Sequence, residues 1–166
     1  SLIKAFDKKK YDLIVIKQEP GKIHEGAISL WREHLVWASA DAADRDSSFK
    51  SIVKKYSNSG NALPLVLSPP PCVYRQGALD ALDKAGVPWK VVYTSPSFAG
   101  ATAAVKAGLG YTVFPKNMVS DELVSLEHSR GWPKLKDAEI CLLAKAKTTP
   151  AIETFISFIS DRIAHA

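Results

Sequence analysis

The chain lacks the common signatures of catalysis. It has no Gly-x-Ser-x-Gly elbow, no Gly-rich Lys-Ser/Thr phosphate loop, no Gly-x-Gly-x-x-Gly and no His-Glu-x-x-His. The usual sequence handles for acyl transfer, nucleotide binding and zinc proteolysis are therefore missing. Cysteine is scarce. Cys72 and Cys141 lie far apart, so they build neither a disulfide framework nor a paired Cys-x-x-Cys, and a reducing compartment is expected. Neither sign of charge dominates: 22 basic residues against 17 acidic ones leave a net charge of +5. The one dense run, Lys8-Lys9-Lys10, follows an apolar helical pattern, where cations suit the helix C-terminus. It reads as a solvated helix end rather than a nucleic-acid patch. No apolar run approaches the ~20 residues of a membrane span, and no signal-peptide pattern precedes Leu2, Ile3 and Phe6, so no membrane partner is expected. The only methionine is Met118 and the first residue is Ser1, which reads as a piece of a longer protein.

What is present is ordinary globular material. The 166 residues are 46% apolar and 23% charged, which excludes disorder. A chain this long buries roughly 70% of its unfolded surface, in one domain or two small lobes. Tyr11–Ile16 is a continuous apolar run that fits a parallel strand covered on both faces. A second extended stretch runs from Leu30-Trp31 through Leu35–Ala38. Asp41–Ser48 is loop-like, with Ser47 or Ser48 suited to cap a helix whose apolar face is Phe49, Ile52, Val53 and Tyr56.

From residue 63 to 115 the chain alternates strand, helix, strand, helix, strand. The strands are Leu63–Leu67, Trp89–Thr94 and Tyr111–Phe114. The helices carry Ala78, Leu79, Leu82 and Ala85, then Phe98, Ala101 and Val105. Short connections between them argue for an open, mostly parallel α/β sheet. Leu123–Leu126 and Ala138–Ala144 read as further strands. A C-terminal helix starts at Thr149-Pro150, with Ile152, Phe155, Ile156, Ile159 and Ile163 expected as its buried stripe. The alternation breaks around 41–62 and 115–137, as two α/β lobes joined by two crossings would require, with a ligand in the cleft between them.

Several residue groups invite a chemical reading and lose it. Ser-x-x-Lys occurs at Ser47–Lys50 and Ser51–Lys54, but without the Ser-Asp-Asn and Lys-Thr-Gly that an acylating serine needs. His24, His34, His128 and His165 are scattered without metal-ligand spacing. Asp41, Asp44 and Asp46 lack the Gly and distal Glu of a calcium loop. No catalytic residue, metal or cofactor is expected.

Two places stay interesting. Pro69-Pro70-Pro71-Cys72-Val73-Tyr74-Arg75 links a strand end to a helix, and Thr94-Ser95-Pro96-Ser97-Phe98 repeats that position one unit later. Helix N-termini offer unpaired N–H groups and partial positive charge to carboxylates and phosphates. Tyr74, Phe98 and Phe114 could wall an apolar ring or chain, and Gln18-Glu19-Pro20 follows the strand of the other lobe. Ordinary capping by Ser97 is the competing explanation. Cys72 is open to two readings: a redox-sensitive thiol at a helix start, or a small semi-buried residue, the commoner case.

The segments Leu63–Gln76, Val91–Ser97 and Ala104–Pro115, in that order and spacing, resemble the effector-binding domain of LysR-type transcriptional regulators. Tyr11–Ile16, Leu35–Ala38 and the closing Thr-Pro-Ala-x-Glu-x-Phe of residues 149–155 are similar to that family as well. The resemblance implies a two-lobed, periplasmic-binding-protein-like α/β fold with flanking helices. The N-terminal part of the first lobe would precede Ser1. It implies a partial first lobe over 1–62, a second lobe over 63–115, and a return crossing with the last strand and helix over 116–166.

By position, the resemblance assigns effector contacts to Gln18, Pro70, Cys72, Tyr74, Thr94, Ser95, Ser97, Phe98 and Phe114. The implied partners are a small effector, carboxylated or aromatic, and further copies of the chain as a dimer or tetramer. DNA would be bound only through a winged helix-turn-helix domain outside this sequence. The implied location is the cytoplasm. Leu79 and Leu82 would face either another subunit or the core of their own chain. The competing readings are a solute-binding protein of a transport system and a small α/β hydrolase or transferase.

Overall fold

The computed structural model describes residues 2–22, 24–127, 130–146 and 148–164. His128 and His165, and the side chain of Ile163, lie outside the described residues. Two compact units account for the chain: residues 1–33 with 137–166, and residues 34–136.

The first unit holds α1 (Leu2–Asp7), β1 (Leu13–Gln18), β2 (Ala27–Glu33), β8 (Ala138–Ala144) and α5 (Pro150–Ala164). The strand order is β1-β8-β2, antiparallel on both sides of β8. β8 is apolar at every position but Glu139 and lies in the middle, so it is buried along almost its whole length. β1 alternates instead: Ile14, Ile16 and Gln18 point inward, while Val15 is exposed. The expectation of a parallel strand buried on both faces at Tyr11–Ile16 is corrected, because β1 has β8 as its one partner among the described residues. Ile14, Ile16, Cys141 and Leu143 form a core on which Ile3, Phe6 and Ala27 pack. Lys8, Lys9 and Lys10 follow α1 as exposed residues, with Lys10 N–H bonding back to the Ala5 carbonyl at 3.0 Å.

The second unit holds β3 (Leu35–Ser39), α2 (Phe49–Asn58), β4 (Leu63–Leu67), α3 (Val73–Lys84), β5 (Trp89–Thr94), α4 (Phe98–Lys106), β6 (Thr112–Pro115) and β7 (Val124–Ser125). β4 pairs in parallel with β5, and a parallel bridge joins Leu65 to Tyr111, so β4 is interior. β6 and β7 pair antiparallel with β3. Val66, Ala101, Ala104, Val105, Phe114 and Leu123 make a core between the sheet and α4.

The lobe limits expected at 62/63 and 115/116 differ from the observed grouping. The stretch expected as one extended element over 30–38 is two strands. β2 hydrogen-bonds to β8, whereas β3 joins β6 and β7, so β3 and α2 belong with the second unit.

Ser48 caps α2 by accepting from Ser51 N–H at 3.2 Å. Thr149 caps α5 through Ile152 N–H at 3.4 Å. The stripe of α5 is not buried as expected. Phe155 is 46% exposed, Ile152, Ile156 and Ile159 are half-buried, and α5 packs on β2. Leu82, by contrast, is fully buried in its own chain, so it is not available to another subunit; Leu79 is half-buried.

These exposures predict opposite outcomes for two truncations. Leu82→Ala should cost ~2–5 kcal/mol. Phe155→Ala should cost well under the ~3–5 kcal/mol of a buried phenylalanine. Urea unfolding followed by circular dichroism compares them directly.

Candidate functional site

The parallel register of β4 and β5 sets Leu67 beside Thr94. Both strands therefore end at one edge of the sheet, and both following loops leave it together. The bond from Ser95 N–H to the Leu67 carbonyl, 3.2 Å, ties those loops to each other. The loops leading into α3 and α4 therefore start from the same sheet edge.

The first loop runs through Pro69, Pro70 and Pro71 into α3. Cys72 occupies the N-cap position without a side-chain cap bond, and it is half-buried. Arg75, in the first turn of α3, reaches back to donate to the Ser68 carbonyl at 3.1 Å. Pro70 is exposed and Tyr74 half-buried.

The second loop is more tightly bonded. Ser95 is 5% exposed; its hydroxyl donates to the Ser97 carbonyl at 3.1 Å and accepts from Ser97 N–H at 3.2 Å. Ser97 in turn caps α4 by accepting from Gly100 N–H at 3.3 Å. The hydroxyl of Ser95 is thus engaged within the loop, while Thr94 and Ser97 are exposed. Phe98 packs on Phe114 with ring centroids 4.6 Å apart. Phe114 is buried and Phe98 is 38% exposed, so the outer ring offers a face backed by the inner one.

Eight of the nine residues assigned by position fall in this unit. Gln18 belongs to the other. There its Nε2 bonds to the Lys22 carbonyl at 2.8 Å, Glu139 Oε2 at 3.2 Å and Cys141 Sγ at 3.3 Å. Its Oε1 is buried and, among the described residues, has no hydrogen-bond partner. Glu139 also accepts from Ser29 Oγ at 2.8 Å, and the Arg32 guanidinium stands 3.9 Å away. The Ser29 and Gln18 bonds, with Arg32, hold the Glu139 carboxyl below its usual range, although burial acts the other way. Burial, then the neighbouring Glu139 carboxylate, pushes the Cys141 thiol up, which leaves it a poor nucleophile.

Sequence reasoning missed Arg75, Gly100 and Glu139. A glycine in the first turn of a helix was the available signal for Gly100, since glycine is disfavoured there without a reason. Here the reason is steric: a Cβ on Gly100 would sit 2.5 Å from Ser95 Oγ. Glu139 stood out as one acid in an apolar strand. Among the described residues, no group of three or more His, Cys, Asp or Glu side chains gathers to hold a metal ion. No described helix is long and apolar enough to cross a membrane.

Comparisons with known proteins bear on the family and the fold. The family model described as LysR substrate binding domain matches residues 1–164. The HTH-type transcriptional regulator PecT of Dickeya dadantii (strain 3937) is 43% identical over 83 residues, 50% of this chain and 26% of PecT. The HTH-type transcriptional regulator DgdR of Burkholderia cepacia is 28% identical over 141 residues, 85% of this chain and 43% of DgdR. The chain thus spans less than half the length of these relatives.

Solved structures share the fold at low identity. The effector binding domain of QuiR in complex with shikimate superposes with a TM-score of 0.70 at 16% identity, covering 99% of this chain and 77% of that one. The Synechocystis PCC6803 CcmR regulatory domain in complex with 2-PG gives 0.71 at 15% identity, covering 98% and 78%. The HypT regulatory domain from Salmonella typhimurium, in its apo form, gives 0.74 at 12% identity, covering 99% and 78%.

Two tests follow from the bonding in each unit. Gly100→Ala should destabilise by ~1–3 kcal/mol, because Ser95 must give up its loop bonds to admit the methyl. In a Ser95→Ala background the same change meets only Cβ at 3.5 Å, and alanine's helix propensity then makes it neutral or stabilising by up to ~1 kcal/mol; a thermal double-mutant cycle measures this. For Glu139, the lowered carboxyl means that its stabilisation is present above the unfolded value of ~4.3 and is lost as pH falls through the lower folded value. Glu139→Gln should be less stable at pH 7 and lose less stability between neutral and acid pH, read by denaturant titrations at several pH values.

Proposed function

The chain belongs to the LysR substrate binding domain family, and from that premise we propose that it is the ligand-sensing module of a DNA-binding transcriptional regulator, acting by binding and without catalysis. The observation that carries this reading is the Leu67–Thr94 register. It ends β4 and β5 side by side, and we read the loops that follow, one with Pro70, Cys72 and Tyr74 and the next with Thr94, Ser97 and Phe98, as one effector face. Hydroxyls, helix N–H groups and an outward ring together suit a small molecule with a carboxylate or an aromatic part. Ser95 holds the second loop in shape and Phe114 backs the exposed ring.

The relatives support the regulatory reading over a transport one, since both are named HTH-type transcriptional regulators. Effector domains sharing the fold were solved with shikimate in QuiR and with 2-PG in CcmR, which supports a small effector here. In the whole protein, located in the cytoplasm, an N-terminal helix-turn-helix domain binds DNA. Copies of the chain associate as a dimer or tetramer, with the half-buried Leu79 face of α3 available for that contact. An effector that binds one subunit arrangement better than another shifts the population toward it.

The test begins with a thermal-shift screen of the full-length protein against carboxylated and aromatic metabolites. Calorimetry then compares the best ligand on variants. Thr94→Val should weaken binding about fivefold, the worth of one hydrogen bond, with an unchanged melting temperature. Ser97→Ala should weaken binding and also lower stability by ~1 kcal/mol, because Ser97 caps α4. Undiminished affinity in both variants places the effector elsewhere.

A further inference from the structure

The second unit has a recess that the effector reading does not use. Its volume is ≈ 280 Å³, and Asp41, Asp44, Lys55, Tyr56, Gly110 and Tyr111 are among its lining residues. It sits beyond the C-terminal end of β3 and against the last turn of α4. The effector face lies at the other end of that helix: Phe98 is its first residue, and Val105, which touches the recess, follows about 10 Å further along at 1.5 Å per residue.

The walls of the recess are fixed by the fold. Tyr111 N–H bonds to the Pro64 carbonyl at 2.9 Å, and Val66 N–H to the Tyr111 carbonyl at 2.8 Å. Gly110 is needed for that approach, since a Cβ there would stand 2.5 Å from the Pro64 carbonyl oxygen. The Tyr111 ring lies against Trp132 at 5.2 Å on one side and meets Tyr56 edge-on at 6.3 Å and 85°. Asp44 and Tyr56 are the polar groups that act on its hydroxyl. Burial, with the Asp44 carboxylate next, lifts the Tyr111 phenol well above its usual range, so the hydroxyl stays protonated and donates.

The lining therefore offers two carboxylates against one ammonium, in a chain whose net charge is +5. Tyr56 and Tyr111 also line it, so aromatic surface adjoins those charges. Two carboxylates with no His or Cys beside them are a thin set for a bare metal ion. A cation with an apolar surface answers both the charge and the rings.

We propose that this recess is a second ligand site, separate from the effector face, which takes a small organic cation: an ammonium group held by Asp44 with its alkyl surface against Tyr56 and Tyr111. Lys55 is the built-in opponent of that charge, so it sets how weakly the site binds. The proposal does not rest on the effector reading, and its failure leaves that reading untouched.

The probe pair is choline and its neutral carbon isostere 3,3-dimethylbutan-1-ol, titrated calorimetrically into the full-length protein. Choline should bind saturably and the alcohol at least about tenfold more weakly. Asp44→Asn should weaken choline about tenfold, Lys55→Gln should tighten it severalfold, and Phe98→Ala on the effector face should leave it unchanged. Lys55 is exposed, so its variant reports on the site even where Asp44→Asn lowers the melting temperature. Equal binding of the alcohol, no saturable heat with choline up to about 10 mM, weakening by Lys55→Gln, or loss of binding in Phe98→Ala overturns the proposal.

Discussion

The arrangement of the second unit depends on the position of β4. This five-residue strand is fully or nearly fully buried at Leu63, Leu65, Val66 and Leu67. It has a parallel neighbour on each side: β5 and the Tyr111 bridge. A strand so placed must satisfy its backbone on both edges or leave buried polar groups unpaired, at a cost of ~1–3 kcal/mol each. That requirement fixes the register of β5, and the register fixes which loop residues meet. Ser95 follows β5 by one residue and bonds to the last carbonyl of β4. The face carrying Thr94, Ser97 and Phe98 is in this sense a consequence of how β4 is paired.

Much of this was legible in the sequence because the signals were local. Strand–helix alternation over 63–115, a cap at Ser47 or Ser48 and the start of the last helix at Thr149-Pro150 all depend on a few adjacent residues. The errors came where distant pairing decides. Nothing local separates the extended stretch 30–38 into two strands; only the choice of β8 for Trp31 and of β6 for Trp37 does so. The apolar run Tyr11–Ile16 looked two-faced because Val15 is valine, yet Val15 is exposed on β1. The stripe of α5 was expected to be buried and Phe155 is not, because a pattern cannot say how much covers it. Of the candidate site, capping and strand-end positions were readable. The inward turn of the Ser95 hydroxyl was not, since it is set by the steric demand shared with Gly100.

The first unit solves a different problem. β8 is an otherwise apolar strand that carries one glutamate. A carboxylate there is tolerable only when its acceptors are used. Ser29 comes from β2 and Gln18 from β1, one on each side of the central strand, and both reach Glu139. Cys141, two residues on, shares the same face and takes the remaining Gln18 contact. A slip of either edge strand by one residue would turn its polar partner to the opposite face. The buried acid therefore specifies register as well as demanding it.

Around the candidate face, residues that hold shape and residues that meet solvent are different residues. Ser95, Gly100 and Phe114 are committed: one to a loop bond pair, one to the space that bond pair needs, one to the core. Thr94, Ser97, Pro70 and Phe98 are exposed, and of these Ser97 alone carries a structural bond. Exchange at Thr94 or Pro70 changes what the face offers while disturbing little packing, so its energetic cost is that of a surface substitution, usually within ~0.5 kcal/mol, whereas exchange at Phe98 also gives up its ring contact with Phe114. Exchange at Ser95 or Gly100 disturbs the scaffold first. A fold divided in this way can present different chemistry at one place without relearning how to fold, and that is the property a ligand-sensing module needs if related chains are to answer to unrelated molecules.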